Sequence, residues 1–368
     1  MAYIERRVAT RREASGRTRR VVRYRVRYRD PSGRQRGETH ARAVDADRRK
    51  AEIELELGNS AWRDPRHGDI PLQVWAETWL PTRHDLRATT WARLEGVMRK
   101  QVLPHFGRVP LNKITNGNIR RWVTELLDSG LSPATVRKGV FALRQCLAAA
   151  VADDRLSHNP ALQIPLPSER QKPARFLSRA EVERLVDATP SRYQALVLVG
   201  AYAGLRWGEA VGLRRQDIDL QRSRIRVTHT AVELRGVITL NNPPKTTRSV
   251  RSVPVARSVM LRIQEHLDSF VGESSSDLVF TTVAGGPLFR SFGQTVLRGA
   301  VQAAGLEHLT FHSLRHSFVA ILVAAGCNVR EVSEWAGHNS VAFTLTRYGG
   351  LFDDGSDAAV DRLDALLG

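Results

Sequence analysis

Two cysteines, Cys146 and Cys327, are all that this chain of 368 residues contains, which excludes a disulfide framework and any cysteine-rich metal site. Cys146 lies inside an apolar helical pattern (Ala142 to Val151) and Cys327 just beyond another (Phe318 to Ala325), and both read as small core residues. No apolar run approaches the ~18 residues of a membrane-spanning helix. The opening Met1-Ala-Tyr-Ile-Glu-Arg-Arg lacks the apolar centre of a signal peptide, so the expected location is the cytoplasm, with no membrane association. Acidic residues are outnumbered, 38 against 56 basic ones, for a formal net charge of +18. A polyanion is then the natural partner, because each phosphate contact releases condensed counterions. Lysine is scarce too: six of the 56 basic residues are Lys (50, 100, 113, 138, 172 and 245), and beyond residue 172 Lys245 stands alone among arginines.

The length exceeds one ordinary hydrophobic core and predicts two or three domains. In residues 1 to 36, thirteen Arg face three acidic residues, leaving +10 of the total charge there. Val21 to Arg29 alternates strictly, with Arg23, Arg25, Arg27 and Arg29 on one face and Val22, Tyr24, Val26 and Tyr28 on the other. That pattern predicts a half-buried strand with a basic outer face. A turn at Asp30-Pro31-Ser32-Gly33, a short strand near Arg34 to Thr39 and a helix from about Val44 to Leu57 complete a small sheet-plus-helix unit. A basic ribbon of this kind can enter a groove of DNA.

Residues 69 to 166 have helical periodicity. The pattern predicts helices over Leu72 to Leu80, Thr89 to Leu103, Gly117 to Leu127 with Asn116 as cap, and from Ser132-Pro133 to about Ala152. Trp75, Trp79, Trp91 and Trp122 are candidate core or groove residues of this bundle. Arg83, Arg87, Arg93, Arg99, Lys100, Arg137 and Lys138 are candidate phosphate contacts. Pro165 to Pro173 reads as a linker. After it, Ser178-Arg-Ala-Glu181 is a capping box opening a helix, with more helices at Tyr193 to Ala203 and from Trp207. Strands are expected at Arg224 to Thr228, Val237 to Leu240 and Val250 to Val255, followed by helices to the end. The fold class is therefore multidomain and mainly α with small β-sheets: a β-sheet-plus-helix N-terminal domain, a helical bundle and an α+β C-terminal domain.

Six residues of the C-terminal half suit phosphodiester chemistry: Arg206, Lys245, His312, Arg315, His338 and Tyr348. Phosphoryl transfer asks a protein mostly for positioning and charge stabilisation. A guanidinium offers a planar fork to two non-bridging oxygens and stays charged, which suits Arg206 and Arg315. A leaving alkoxide needs a proton that Arg cannot give and Lys can, especially once neighbouring arginines lower its pKa. Lys245, in Asn-Asn-Pro-Pro-Lys-Thr-Thr, is expected on a β-turn between two strands. His312 and Arg315, three apart, share a face at a helix start, and the same spacing argument sends His316 elsewhere. Gly337 ends a helix before His338. A tyrosine is a poor nucleophile at its ordinary pKa of ~10 and needs positive charge and a proton acceptor nearby. Tyr348 is expected on a short helix or turn loosened by Gly349 and Gly350. Glu209, three residues after Arg206, is placed to hold that arginine.

The ordered set Ala-Gly-Leu-Arg206-Trp-Gly-Glu209, Pro-Pro-Lys245-Thr, His312-Ser-Leu-Arg315-His316, Gly337-His338 and Thr-Arg-Tyr348-Gly resembles the tyrosine recombinases, in their phage-integrase branch, over essentially the whole chain. The resemblance implies a site-specific integrase of an actinobacterial-type phage or integrative element. Tyr348 would attack a scissile phosphate to give a 3′-phosphotyrosine, and Lys245 would protonate the departing 5′-hydroxyl. Arg206, Arg315 and His338 would stabilise the transition state, and His312 would assist proton transfer at the tyrosine. No metal, cofactor or ATP would be needed. Residues 1 to 60 would bind arm-type DNA sites, 69 to 166 would form the core-binding domain, and 173 to 368 the catalytic domain.

The implied partners are double-stranded DNA at attachment sites, a homotetramer assembled on it, and accessory DNA-bending or excision-directing proteins. Val360 to Leu367 is an amphipathic stretch suited to docking on a neighbouring protomer or in cis. Two positions depart from the family pattern: Ala336, where a larger apolar residue is usual, and the Gly-Gly after Tyr348. Neither removes a catalytic group. The rival readings are a type IB topoisomerase, which reseals the strand it cuts, and a catalytically silent DNA-binding regulator.

Overall fold

The computed structural model describes residues 2–12, 18–59, 62, 64, 66–168, 175–242, 250–307, 309–352, 364–365 and 367. Two compact units, Met1–Gln171 and Lys172–Gly368, divide the chain. Lys245 and most of the stretch from Val360 to Leu367 lie outside the described residues.

The first unit begins with three antiparallel strands, β1 (Tyr3–Arg12), β2 (Thr18–Arg29) and β3 (Gln35–His40), in the order β1-β2-β3. The alternation of β2 sends Val26 and Tyr28 inward, where they pack with Ala46 and Ile53 of helix α1 (Ala43–Gly58). Between β2 and β3 the chain turns on Asp30, whose carboxylate accepts from the backbone of Ser32 and Arg34, and on Gly33 at φ +82°. The first strand is absent from the sequence expectation, because Glu5, Arg6 and Arg7 interrupt any two-residue apolar rhythm. Its partner fixes it: Glu5 lies opposite Arg25 in the register and pairs with Arg27 at 2.9 Å.

Helices α2 (Leu72–Trp79), α3 (Ala88–Val97), α4 (Leu103–Phe106), α5 (Asn116–Asp128) and α6 (Pro133–Ala152) follow in this unit. A wide π-turn at Met98–Val102 joins α3 to α4, so the long predicted helix is continuous but locally overwide. Thr115, not Asn116, caps α5: its hydroxyl accepts from the Asn118 amide, while the Asn116 side chain donates to the carbonyls of Pro160 and Leu162. Ser132 caps α6 as expected. Trp75, Trp79 and Trp122 are buried in the bundle, and the Trp75 indole donates to the Cys146 carbonyl at 3.0 Å. Trp91 is only half-buried and donates to Leu80.

The second unit opens with α7 (Arg179–Asp187), capped reciprocally by Ser178 and Glu181, then α8 (Ser191–Tyr202) and α9 (Trp207–Val211). A three-stranded antiparallel sheet in the order β4-β5-β8 is built from β4 (Ile218–Asp219), β5 (Arg224–Val227) and β8 (Arg251–Pro254). A separate hairpin pairs β6 (Thr230–Leu234), which the sequence pattern did not predict, with β7 (Val237–Asn242). Arg235 and Gly236 both take positive φ at its tip, the geometry that matches strand twist in a two-residue turn. Helices α10 (Arg257–Phe270), α11 (Arg290–Ala303), α12 (Phe311–Ala324), α13 (Val329–Ala336) and α14 (Val341–Tyr348) complete the unit. The largely buried α8 packs on α12 at the centre of the core, so the start of α12 is held against the loop that follows α8.

Candidate active site

Arg315, on α12, is 2% exposed. Among the described residues its guanidinium bonds to two carbonyls, Gly204 at 2.6 Å and Ala336. Burial, then the like charges of Arg206 and Arg251, push it down to about 9, so it stays protonated at neutral pH. A buried cation held by carbonyls rather than by a carboxylate keeps its charge available to an incoming anion. Ala336 is fully buried and contributes the carbonyl that Arg315 needs.

Arg206 stands at the N-cap of α9. It donates through Nη1 to Glu209 at 2.8 Å and through Nη2 to the Gly337 carbonyl at 2.7 Å. Glu209 also accepts from both terminal nitrogens of Arg251, at 3.1 and 2.8 Å, and Arg251 Nε reaches the Trp335 carbonyl at 2.8 Å. Burial alone would raise the Glu209 carboxyl, but the hydrogen bonds and charge of Arg251, with Arg206, hold it down at about 2. Gly337 closes α13 in the left-handed region at φ +62°, and a Cβ there would meet Arg251 Nη1 at 3.0 Å. The expected pairing of Glu209 with Arg206 is present; Arg251 was not anticipated. Its signal was the alternation of its own strand, which puts Arg251 on the same buried face as Val253. A charged residue on the inward face of a strand requires a buried partner.

The network yields a stability prediction. Glu209→Ala strands Arg251 in the core and should lower the unfolding free energy of the second unit by about 3–5 kcal/mol near neutral pH. Because the folded carboxyl lies below its ordinary value, its contribution is complete above about 4.5 and is lost as pH falls toward 2. In urea titrations, the gap between native protein and variant should therefore shrink across that acid window.

His338 is buried, its Nδ1 is 2.8 Å from the Thr344 hydroxyl, and its ring stacks on Tyr348 with centroids 5.8 Å apart and planes 7° apart. Burial, with Arg315, Arg206 and Arg251 nearby, lowers it to about 3, so the ring is neutral and Nε2 is the nitrogen left for an oxygen ligand. Tyr348 is 3% exposed at the end of α14. The flanking glycines do not loosen it, because Gly349 keeps helical torsions and Phe176 and His338 pack on the ring. Burial raises its pKa, while Arg315 and Arg347 pull the other way.

One sequence expectation is corrected here. His316 does not point away: its Nδ1 lies 2.6 Å from the Tyr348 hydroxyl, while the His312 ring packs edge-on against His316 at 4.7 Å. Positions four apart share a helix face as well as positions three apart, so the spacing that brings Arg315 onto the face of His312 brings His316 there too. His312 instead lines, with Arg206, Trp207 and Arg290, a cleft of about 700 Å³ beside α11. Its pKa is lowered by burial and then by Arg315, Arg206 and Arg347.

The basic positions outside this cluster are mixed. Arg23 and Arg29 are exposed, the latter donating to the Gly33 carbonyl. Arg25 and Arg27 are half-buried, Arg27 paired with Glu5 and Arg25 lying against Gly37, so the outer face of β2 is less uniformly basic than the alternation implies. Arg87, Arg93, Lys100 and Lys138 are exposed, whereas Arg137 donates to the Pro167 carbonyl. Among the described residues no group of three or more His, Cys, Asp or Glu is placed to hold a metal ion, and no helix is long and apolar enough to cross a membrane.

Residues 175–353 match the Phage integrase family, and residues 72–127 match the phage integrase N-terminal SAM-like domain. The prophage phiRv2 integrase of Mycobacterium tuberculosis is 28% identical over 306 residues, spanning 81% of this chain and 79% of that protein. The ICEBs1 integrase of Bacillus subtilis is 26% identical over 282 residues, 74% of this chain and 76% of that one. Among solved structures, the Tn1549 transposon integrase in complex with a circular intermediate DNA superposes with a TM-score of 0.69 at 21% identity, over 80% of this chain and 99% of its own. A lambda integrase dimer bound to a COC' core site gives 0.61 at 15% identity, over 94% and 95%. These likenesses define the fold as that of a DNA integrase. The chain belongs to the tyrosine recombinase family, in its phage-integrase branch.

Proposed function

We propose that Tyr348 is the nucleophile of this site-specific DNA recombinase, and that Arg206, His312, Arg315 and His338 bind the scissile phosphate. The enzyme cleaves and rejoins DNA strands through a 3′-phosphotyrosine, integrating or excising a mobile element. The observation that carries the residue assignment is the convergence on Tyr348. The ring of His338 stacks on it, and buried Arg315 and partly exposed Arg206 bond to the consecutive carbonyls of Ala336 and Gly337, which lead directly into His338. Each guanidinium is thereby fixed before substrate arrives, the preorganisation that makes charge stabilisation effective. Lys245 supplies the proton to the leaving 5′-oxygen, a role that rests on the family resemblance. Glu209 and Arg251 hold Arg206 and the end of α13 in place.

Cleavage and resealing run without metal or ATP, because the cations are side chains and the phosphotyrosyl bond conserves the energy of the broken phosphodiester. Residues 1 to 60 bind arm-type sites, with Arg23 and Arg29 as the exposed contacts of β2. Residues 69 to 166 bind the core site through Arg87, Arg93, Lys100 and Lys138, and residues 173 to 368 carry out the chemistry. The protein acts as an oligomer on DNA, a homotetramer at the paired attachment sites in the bacterial cytoplasm, with accessory DNA-bending or excision-directing proteins setting direction. A topoisomerase reading is not favoured, since the matched family and the named relatives are integrases.

Strand exchange between two labelled attachment-site duplexes in the presence of EDTA and without ATP tests the reading. Recombinant products are expected. Relaxation of supercoils without exchange between duplexes would instead favour the topoisomerase, and a requirement for a divalent cation would remove the metal-free mechanism.

A further inference from the structure

We propose that His316 takes the phenolic proton of Tyr348 as the tyrosine attacks, and returns it when the strand is resealed. The inference rests on the reading of Tyr348 as the nucleophile. Among the described residues His316 is the hydrogen-bond partner of the Tyr348 hydroxyl, at 2.6 Å through Nδ1, with ring centroids 5.7 Å apart. That distance is already within reach for proton transfer. His312, one turn earlier on α12, contacts the His316 ring and the cleft beside Arg206. The two histidines thus divide the work, His312 facing the phosphate side and His316 facing the nucleophile.

The direction of the bond follows from the chemistry of the pair. Burial keeps the proton on Tyr348, and a phenol is a better donor than acceptor. Burial, followed by His312, Arg347 and Arg315, holds His316 down at about 4, so its ring is neutral with one nitrogen open as an acceptor. A phosphodiester bound between Arg206 and Arg315 offsets part of the cationic field acting on His316 and raises its basicity when substrate is present.

In cleavage the phenolic oxygen bonds to phosphorus, its O–H bond breaks and the proton passes to Nδ1 of His316. The bond from phosphorus to the 5′-oxygen breaks, and that oxygen takes a proton from the acid assigned to Lys245. In resealing, the 5′-hydroxyl attacks phosphorus and gives its proton to that same group. The phosphotyrosyl bond breaks, and His316 gives the proton back to the phenolate.

The test is single-turnover formation of the covalent adduct on a nicked suicide duplex, using the full chain. Native protein is compared with His316→Ala, His316→Asn, Tyr348→Phe and Lys245→Ala. Asn places an oxygen near the position of Nδ1 that accepts a hydrogen bond but takes no proton near neutral pH. Both His316 variants should form adduct about 100-fold more slowly or worse, with gel-shift affinity retained and only the small fall in melting temperature that the lost hydrogen bond to Tyr348 implies. A 5′-thio leaving group should restore Lys245→Ala and leave both His316 variants slow. If His316→Ala fails to fold, His316→Asn carries the test alone. Near-native cleavage by either variant overturns the proposal: by Ala because the group is dispensable, by Asn because a hydrogen bond alone suffices. Restoration of the His316 variants by the thio substrate would also overturn it, by placing His316 on the leaving-group side. Absence of adduct with the native chain would instead sink the recombinase reading, and this proposal with it.

Discussion

Tyr348→Phe should bind attachment-site DNA with unchanged affinity and form no detectable covalent adduct. The substitution removes one oxygen from a side chain whose ring is held by Phe176 and His338, contacts that phenylalanine reproduces. Stability should change by no more than the net value of one hydrogen bond to His316, about 1 kcal/mol. Cleavage, by contrast, loses the proposed nucleophile. Loss of such a group costs on the order of 10⁵ or more in rate, which places residual activity below detection on a denaturing gel. An electrophoretic shift assay run beside that gel separates the two effects.

Arg315→Ala is the second large effect, and it has two components. In the proposed mechanism the guanidinium opposes the negative charge that accumulates on the phosphate oxygens, and removing one preorganised donor of that kind costs about 10²–10³ in rate. It also ties the Gly204 carbonyl, in the loop after α8, to the Ala336 carbonyl at the end of α13. The alanine variant leaves both carbonyls unpaired in the core, and melting temperature should fall together with activity. Arg315→Lys separates the components. It retains the charge but not the planar fork, so cleavage should recover only partly, by about tenfold relative to alanine. Melting curves and single-turnover rates on all three proteins give the comparison.

The parts of the fold visible in the sequence were those governed by local chemistry. The caps Ser132 and Ser178, the strict alternation of β2 and the αL glycine after α13 each announce themselves within four residues. What escaped was set by partners distant in the chain. Strand β1 exists because β2 offers it a register, not because Tyr3 to Arg12 has an apolar rhythm of its own. The π-turn at Met98–Val102 has no residue signature, and Thr115 displaced Asn116 as cap because Asn116 is recruited by carbonyls more than forty residues away.

The site divides in the same way. Its residue types and order were legible, since Arg206, His312, Arg315, His338 and Tyr348 occur at spacings shared with a family. Their mutual support was not. Arg251 joins Glu209 across 42 positions, and Tyr348 is seated by Phe176 from the other end of the unit, which removes the looseness that two following glycines suggest. His316 obeys the same helical spacing rule, since position i+4 from His312 shares its face as position i+3 does.

The central claim is that Tyr348 itself becomes joined to DNA. Trapping the complex on a nicked suicide duplex, digesting it, and sequencing the DNA-linked peptide by mass spectrometry locates the bond directly. The account predicts a single modified peptide, with a nucleotide attached through its 3′-phosphate to Tyr348. A modification on any other residue, or a 5′-phosphate linkage, would contradict it.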